Sequence, residues 1–300
     1  MALFDKKLSD DLMSLQSNGD ESHLDTADNE EAARVMAEGF YENEELYILA
    51  SQTTKQPFVV CDEDTYEDEI FVFTGEDILQ DYAKMYTKDK YALYAMKIPK
   101  ENIPVFLNTV FAIGADTIMF SDGGAPVRIS IEDLAEGPNY HKTPSEKILP
   151  ANPSVQLPAI YFLQELRRPM GERTRQEMAR LRELEEEMVV NMSRSEFIVL
   201  FDAGSRPAAP GNKRNMRIPY IKAKNGDVLQ PVFTDYMEVQ KFNANVKMKN
   251  ISLTTVSYDQ LQNFLGKAAK AFVINPAGFN LILTKEQLKK MKEMYIQEDE

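Results

Sequence analysis

The feature that most constrains the fold is a block that occurs twice. Ala271–Lys290, AFVINPAGFNLILTKEQLKK, reads as strand, tight turn, strand and helix start. The apolar run Ala271–Ile274 stops at Asn275-Pro276-Ala277-Gly278, where Pro presets φ for a turn and Gly accepts a positive φ. Phe279–Leu283 resumes as a strand, and Thr284 with Gln287 three residues on predicts a capping box. Thr117–Ala135, TIMFSDGGAPVRISIEDLA, has the same order. Its apolar run is Ile118–Phe120, its turn Asp122-Gly123-Gly124, its second strand Val127–Ile129, and Ser130 is the cap with Asp133 three residues on. Gly124 and Gly278 are 154 residues apart, and so are Ser130 and Thr284. Self-similarity at one fixed spacing predicts one module laid down twice.

The segments before each block match as well. Glu45–Ser51 pairs with Glu196–Asp202 as a first strand. Pro57–Cys61 pairs with Ile218–Ala223, and Ile70–Thr74 with Gln230–Thr234, both ending in Phe-Thr. Tyr91–Ile98 pairs with Ile251–Val256, and the helix holding Phe106 and Leu107 with Tyr258–Leu265. Asn225-Gly226 between two strands predicts a tight hairpin. Thr74, with Asp77 three residues on, is read as the cap of a helix carrying Ile78, Tyr82 and Met85 on one face. Phe106, Phe111, Phe264, Tyr82 and Met85 are core candidates. The boundaries follow: a tail at 1–25, a first module at 26–136, a Pro-rich linker at 137–157, a connecting helix and second module at 158–296, and an acidic tail at 297–300. The helix carries Met178, Leu181, Leu184, Met188 and Val189 at helical spacing, so Arg175–Val190 is also a candidate for self-association.

Charge is unevenly distributed. Residues 1–150 hold 12 Lys+Arg against 30 Asp+Glu, a balance of −18, while residues 197–296 hold 15 against 7, a balance of +8. An acidic chain of net charge −14 argues against general nucleic-acid binding. No apolar run of ~18 residues marks a membrane span, and the N-terminus lacks the apolar core of a leader, so a cytoplasmic protein is expected. The single Cys61 excludes an internal disulfide and a thiolate metal cluster within one chain.

Signatures of chemistry are sparse. The two histidines, His23 and His141, fall in the tail and the linker, which argues against a His-based triad or a transition-metal site. Gly123-Gly124 and Gly278 lack the spacing of a phosphate loop. Asp62–Glu69, DEDTYEDE, lacks the Gly and ligand spacing of a Ca²⁺ loop and reads as a solvated acidic loop. Neither a cofactor nor a metal is expected. The basic set Lys213, Arg214, Arg217, Lys222, Lys224, Lys241, Lys247 and Lys249 is a candidate surface for an anionic partner.

At Leu229–Lys290 the chain resembles the N-terminal domain of the SseB family, the enhanced serine sensitivity proteins. The resemblance rests on LQPVFTDYMEV at 229–239 and AFVINPAGFNLILTKEQL at 271–288. Glu45–Ala135 is similar but degenerate, with Ser121-Asp122 where the Asn-Pro stands in the second copy. The resemblance implies a fold more than an activity, and it makes Asn275, Pro276 and Gly278 the family-signature turn. The expectation is an α+β protein of two tandem modules, each a mixed or antiparallel sheet of about five strands with packed helices. Its expected function is a non-enzymatic interaction or regulatory module with an unidentified protein partner. The alternative is a small-molecule sensor or enzyme using a cleft between the modules.

Overall fold

A computed structural model describes residues 39–137, 149–169, 171–202, 217–248 and 251–295. In the first half β1 (Glu45–Ser51), β2 (Val59–Cys61) and β3 (Asp68–Phe73) are followed by α1 (Glu76–Thr87), β4 (Leu93–Pro99), α2 (Ile103–Ile113), β5 (Thr117–Ser121), β6 (Val127–Ser130) and the single turn α3 (Ile131–Leu134). Then come α4 (Pro153–Leu166) and α5 (Arg175–Ser193). The second half runs β7 (Glu196–Asp202), β8 (Ile221–Lys222), β9 (Val228–Phe233), α6 (Tyr236–Val246), β10 (Ile251–Ser257), α7 (Tyr258–Leu261), β11 (Ala271–Ile274), β12 (Leu281–Leu283) and α8 (Lys285–Tyr295).

The two sheets have one topology. The first is ordered β4-β1-β3-β5-β6 with β2 on β3, and the second β10-β7-β9-β11-β12 with β8 on β9. Each has six strands, one more than expected, and each is mixed: β3 and β5 run parallel, as do β9 and β11, and the other pairings are antiparallel. The fold is therefore α+β with the strand order repeated.

Period-two alternation explains why each sheet is covered on both faces. In β1, Leu46 and Ile48 point to one core, while Tyr47 and Leu49 point to another formed with Leu79 and Tyr82 of α1. In the second sheet, Phe197 and Val199 face inward, whereas Ile198 and Leu200 pack with Val239 and Phe242 of α6. The inward faces meet a shared helical layer. One continuous apolar cluster runs from Ile48 through Ile160 and Leu163 of α4 and Met188 and Met192 of α5 to Phe197 and Phe272. The modules are thus fused through a common core.

Pro231 lies inside β9, a position that normally excludes proline. Here β7 pairs with β9 at Val232 and Phe233, while β8 pairs at Val228 and Leu229. The Val232 carbonyl accepts from Asn275 N at 2.9 Å, on the β11 side. Pro231 therefore turns its missing N–H the other way, into the break between β8 and β7, where no ladder bond is lost.

Several local expectations change. α1 is capped at Gly75, one residue beyond Thr74, with no side-chain bond; the Thr74 N–H bonds the Ser121 carbonyl. In the second module the cap is Asp235, one residue beyond Thr234, and accepts from Glu238 N. Ser130 bonds Glu132 N rather than reaching Asp133. The segment read as linker already contains the start of α4, with Pro153 in its first turn and Pro158 inside it. Met85 is 51% exposed rather than core. The equivalent of α2 in the second module shortens to one turn, α7, and a 3₁₀ turn at Gln262–Phe264. The Thr284 capping box forms as expected, with reciprocal bonds to Gln287. The Asn225-Gly226 turn joins β8 to β9, with Gly226 at φ +90°.

Candidate functional site

Adjacent parallel strands place their carboxyl ends side by side, which is where open α/β sheets gather ligand-facing loops. In the second module those ends are Thr234-Asp235 after β9 and Asn275–Gly278 after β11. Asn275 is buried and left-handed, at φ +47°. Asn tolerates that region better than most residues. Its side chain accepts from Thr234 N at 3.0 Å and donates to the Thr234 hydroxyl at 2.7 Å, so it ties the two strand ends together. In the first module Ser121 occupies this place; its hydroxyl bonds within its own turn, to Gly123 N and the Gly124 carbonyl, and only its backbone carbonyl reaches Thr74 N.

Gly278 does not have the positive φ expected of it. The left-handed residues of this turn are Asn275 and Asn280. Gly278 is required for space, because a Cβ there would lie 2.6 Å from Gln56 Nε2 and 2.7 Å from Glu238 Oε2. Gln56 belongs to the loop after β1, so the turn is pressed against the other module.

Beside this contact a pocket of about 220 Å³ opens between the modules. Met96 and Ile98 of β4, and Val105, Phe106 and Thr109 of α2, form its first-module wall. Lys55, Gln56 and Pro57 form one end, and Lys241 of α6 and Ala277 of the turn close the second-module side. Met96 and Ile98 share one sheet face because they pair with Ile48 and Leu46 on β1. The walls are predominantly apolar, with cations at the rim. Lys55 sits over the ring of Tyr94, 5.7 Å from its centroid.

Polar groups converge behind the pocket. Glu238 is 1% exposed, and its Oε1 accepts from Lys241 Nζ at 2.7 Å. Its Oε2 has no hydrogen-bond partner. Burial raises the Glu238 carboxyl above its ordinary range, while the Lys241 ammonium opposes the shift. Asp235 is equally enclosed and also raised by burial. It accepts from the Thr234 hydroxyl at 2.8 Å and from Gln156 Nε2 at 2.6 Å. Gln156 also donates to the Ala112 carbonyl at the end of α2. Asn152 donates to the Glu196 and Thr234 carbonyls, both at 2.7 Å. Arg167 donates to the Thr53 carbonyl in one module and to the Phe279 and Asn280 carbonyls in the other.

Of the residues singled out in the sequence, Asn275 and Gly278 are thus parts of this junction, and Pro276 is half-buried between them. Lys213 and Arg214 lie outside the described residues. Arg217 is exposed, and its backbone bridges Asp202. Lys241, one of the basic set, faces the pocket instead of joining an open basic surface. The acidic loop is bound by Arg128, which reaches Asp62 at 2.6 Å and Glu69 at 2.7 Å. The self-association candidate turns Leu184, Met188 and Val189 into the core and leaves Met178 exposed. His23 and His141 lie outside the described residues. Among the described residues, no helix is long and apolar enough to cross a membrane, and no group of three His, Cys, Asp or Glu is placed to hold a metal ion.

No protein-family model and no curated protein matches the chain. Among solved structures, "Anabaena Tic22 (protein transport)" aligns at 8% identity over 87% of this chain and 96% of that one, with a TM-score of 0.20. Tic22 from Plasmodium falciparum aligns at 13% identity over 86% and 98%, with a TM-score of 0.18. Scores of this size do not define a common fold.

Proposed function

We propose that this chain is a non-enzymatic, cytoplasmic interaction module that seizes an apolar anchor side chain of a protein partner in the pocket between its halves. The SseB-like turn at Asn275–Gly278 then acts as a structural part of that pocket. The observation carrying the proposal is the pocket's joint construction and size. Both modules supply its walls, and about 220 Å³ is below the roughly 300–1,000 Å³ of sites for drug-sized ligands. It is suited to a single buried anchor, the unit from which protein interfaces draw most of their energy. The size weighs against a cleft enzyme or a sensor of an extended metabolite.

Peptide selection on the intact chain tests this. The selected peptides are expected to share an apolar or aromatic anchor. Val105→Trp, which fills the pocket from a position 60% exposed, is expected to abolish their binding without lowering stability. Peptides that bind Val105→Trp as well as the parent chain would refute the proposal.

A further inference from the structure

We infer that the outer edge of β10 pairs with the same edge of a second copy of this chain, joining two sheets across a two-fold axis at Thr254. The surface uses none of the residues that line the pocket.

The open edge is located by following the ladder. β10 pairs with β7 along all seven residues without a bulge, from Ile251 opposite Asp202 to Ser257 opposite Glu196. Asp202 exchanges both of its backbone bonds with Arg217, on the other side of β7. Its pair with Ile251 is therefore the non-hydrogen-bonded kind, and the alternation of an antiparallel ladder sets the rest. Ser252, Thr254 and Val256 bond β7, while Ile251, Leu253 and Thr255 turn their N–H and C=O groups outward. Among the described residues, no strand, backbone group or side chain bonds those outward groups.

An open row of this kind is a template for another strand unless the sequence blunts it. The other sheet ends are blunted. β4 carries Lys97, paired with Glu45, and closes on Pro99. β6 carries Arg128, and β12 has only three residues. β10 reads ISLTTVS, with neither charge nor proline.

Register identifies the occupant. The outward groups fall on odd-numbered residues, so an antiparallel copy must set odd residues opposite odd ones. A two-fold at Thr254 does this over the whole strand. Leu253 meets Thr255 and Ile251 meets Ser257 in hydrogen-bonded pairs. Ser252 meets Val256, and Thr254 meets its own copy, in the close pairs between. Opposed residues share a sheet face, so the layer that Ile251 and Leu253 form beside α6 continues from one copy into the next. No like charges are opposed, and Thr–Thr pairs favour such a contact. The exposed Lys247 of each copy lies at opposite ends of the joint, toward the end carrying Asp259, which also binds Lys292. A parallel partner would set the two Lys247 side chains together. The patch is thus its own complement, as an isologous dimer contact requires.

Sedimentation of the full chain across a concentration series tests this. One strand pair lies at the low end of interface sizes, so the mass is expected to rise with concentration from one chain to two. Amide exchange at Leu253 and Thr255 is expected to slow over the same series, while Thr254, already bonded to β7, stays unchanged. Thr254→Lys and Thr254→Glu each set like charges on the axis and are expected to remain monomeric. An equimolar mixture of the two is expected to recover the doubled mass, which a folding defect would not. A parent chain that keeps the mass of one copy at every concentration would overturn the inference, as would dimers that both variants leave intact. The exchange series on the parent chain decides where a variant fails to fold: slowing confined to other segments would also overturn it.

Discussion

At Gly278 a methyl group would touch two polar side chains at once. Gly278→Ala puts its Cβ within 2.7 Å of Gln56 and Glu238, and overpacking of that kind costs about 1–3 kcal/mol. Gly171→Ala, where nothing lies within 4 Å of the new Cβ, is the control expected to leave the urea midpoint unchanged. Asn275→Ala removes both bonds to Thr234 and leaves a left-handed backbone, for an expected loss of roughly 2–4 kcal/mol in urea unfolding. The buried carboxyl groups predict a pH effect. Asp235 and Glu238 are both raised by burial, so between the ordinary carboxylate range and their folded values the native state binds more protons than the unfolded one. Their contribution to stability therefore grows as pH falls through the folded values, and is complete only below the unfolded ones. The Asp235→Asn/Glu238→Gln pair should flatten that component of the stability profile above the ordinary carboxylate range; an unchanged slope there would show that neither group titrates above it. None of this was legible in the sequence. Gly278 was recognisable as a turn residue, but not that its turn meets Gln56, which is distant in the chain. Lys241 read as part of a basic surface for an anionic partner because its carboxylate partner, Glu238, is identified only by burial.

At the scale of elements, α4 does more than connect. Gln164 accepts from Val59 N at 3.1 Å and donates to the Val59 carbonyl at 3.0 Å. A side-chain amide thus completes the edge of β2 as a neighbouring strand would. Gln164→Ala leaves both backbone groups buried without partners, at about 1–3 kcal/mol for each unsatisfied group, readable as faster amide exchange at Val59. Strand positions were readable because β1, β7 and β11 alternate or run apolar between clear breaks. The helix caps were less so. Thr74 and Thr234 resemble caps, but both belong to the junction between parallel strands, tied to Ser121 and Asn275, and the caps fall one residue beyond, at Gly75 and Asp235. The start of α4 was obscured by Pro153 and Pro158, which suggest a linker even though proline is at home in a first turn.

Over the whole molecule, the shared core predicts one unfolding event. Apolar contacts run unbroken from β1 to β11 through α4 and α5, so calorimetry should give a single transition with matching van't Hoff and calorimetric enthalpies. Two separable transitions would mean that the central helices do not couple the halves. Duplication was visible in the sequence because turn residues and caps recur at a fixed interval. Fusion was not, since a charged face and an apolar face on α5 fit an exposed helix as well as a buried one. The bonds from Arg167 to carbonyls of both halves have a mechanical consequence. They act as a fixed calliper across the cleft, so its jaws cannot part without forfeiting either the Thr53 contact or the pair to Phe279 and Asn280. A guest must fit the gap as it stands, and discrimination would then be by gauge rather than by closure.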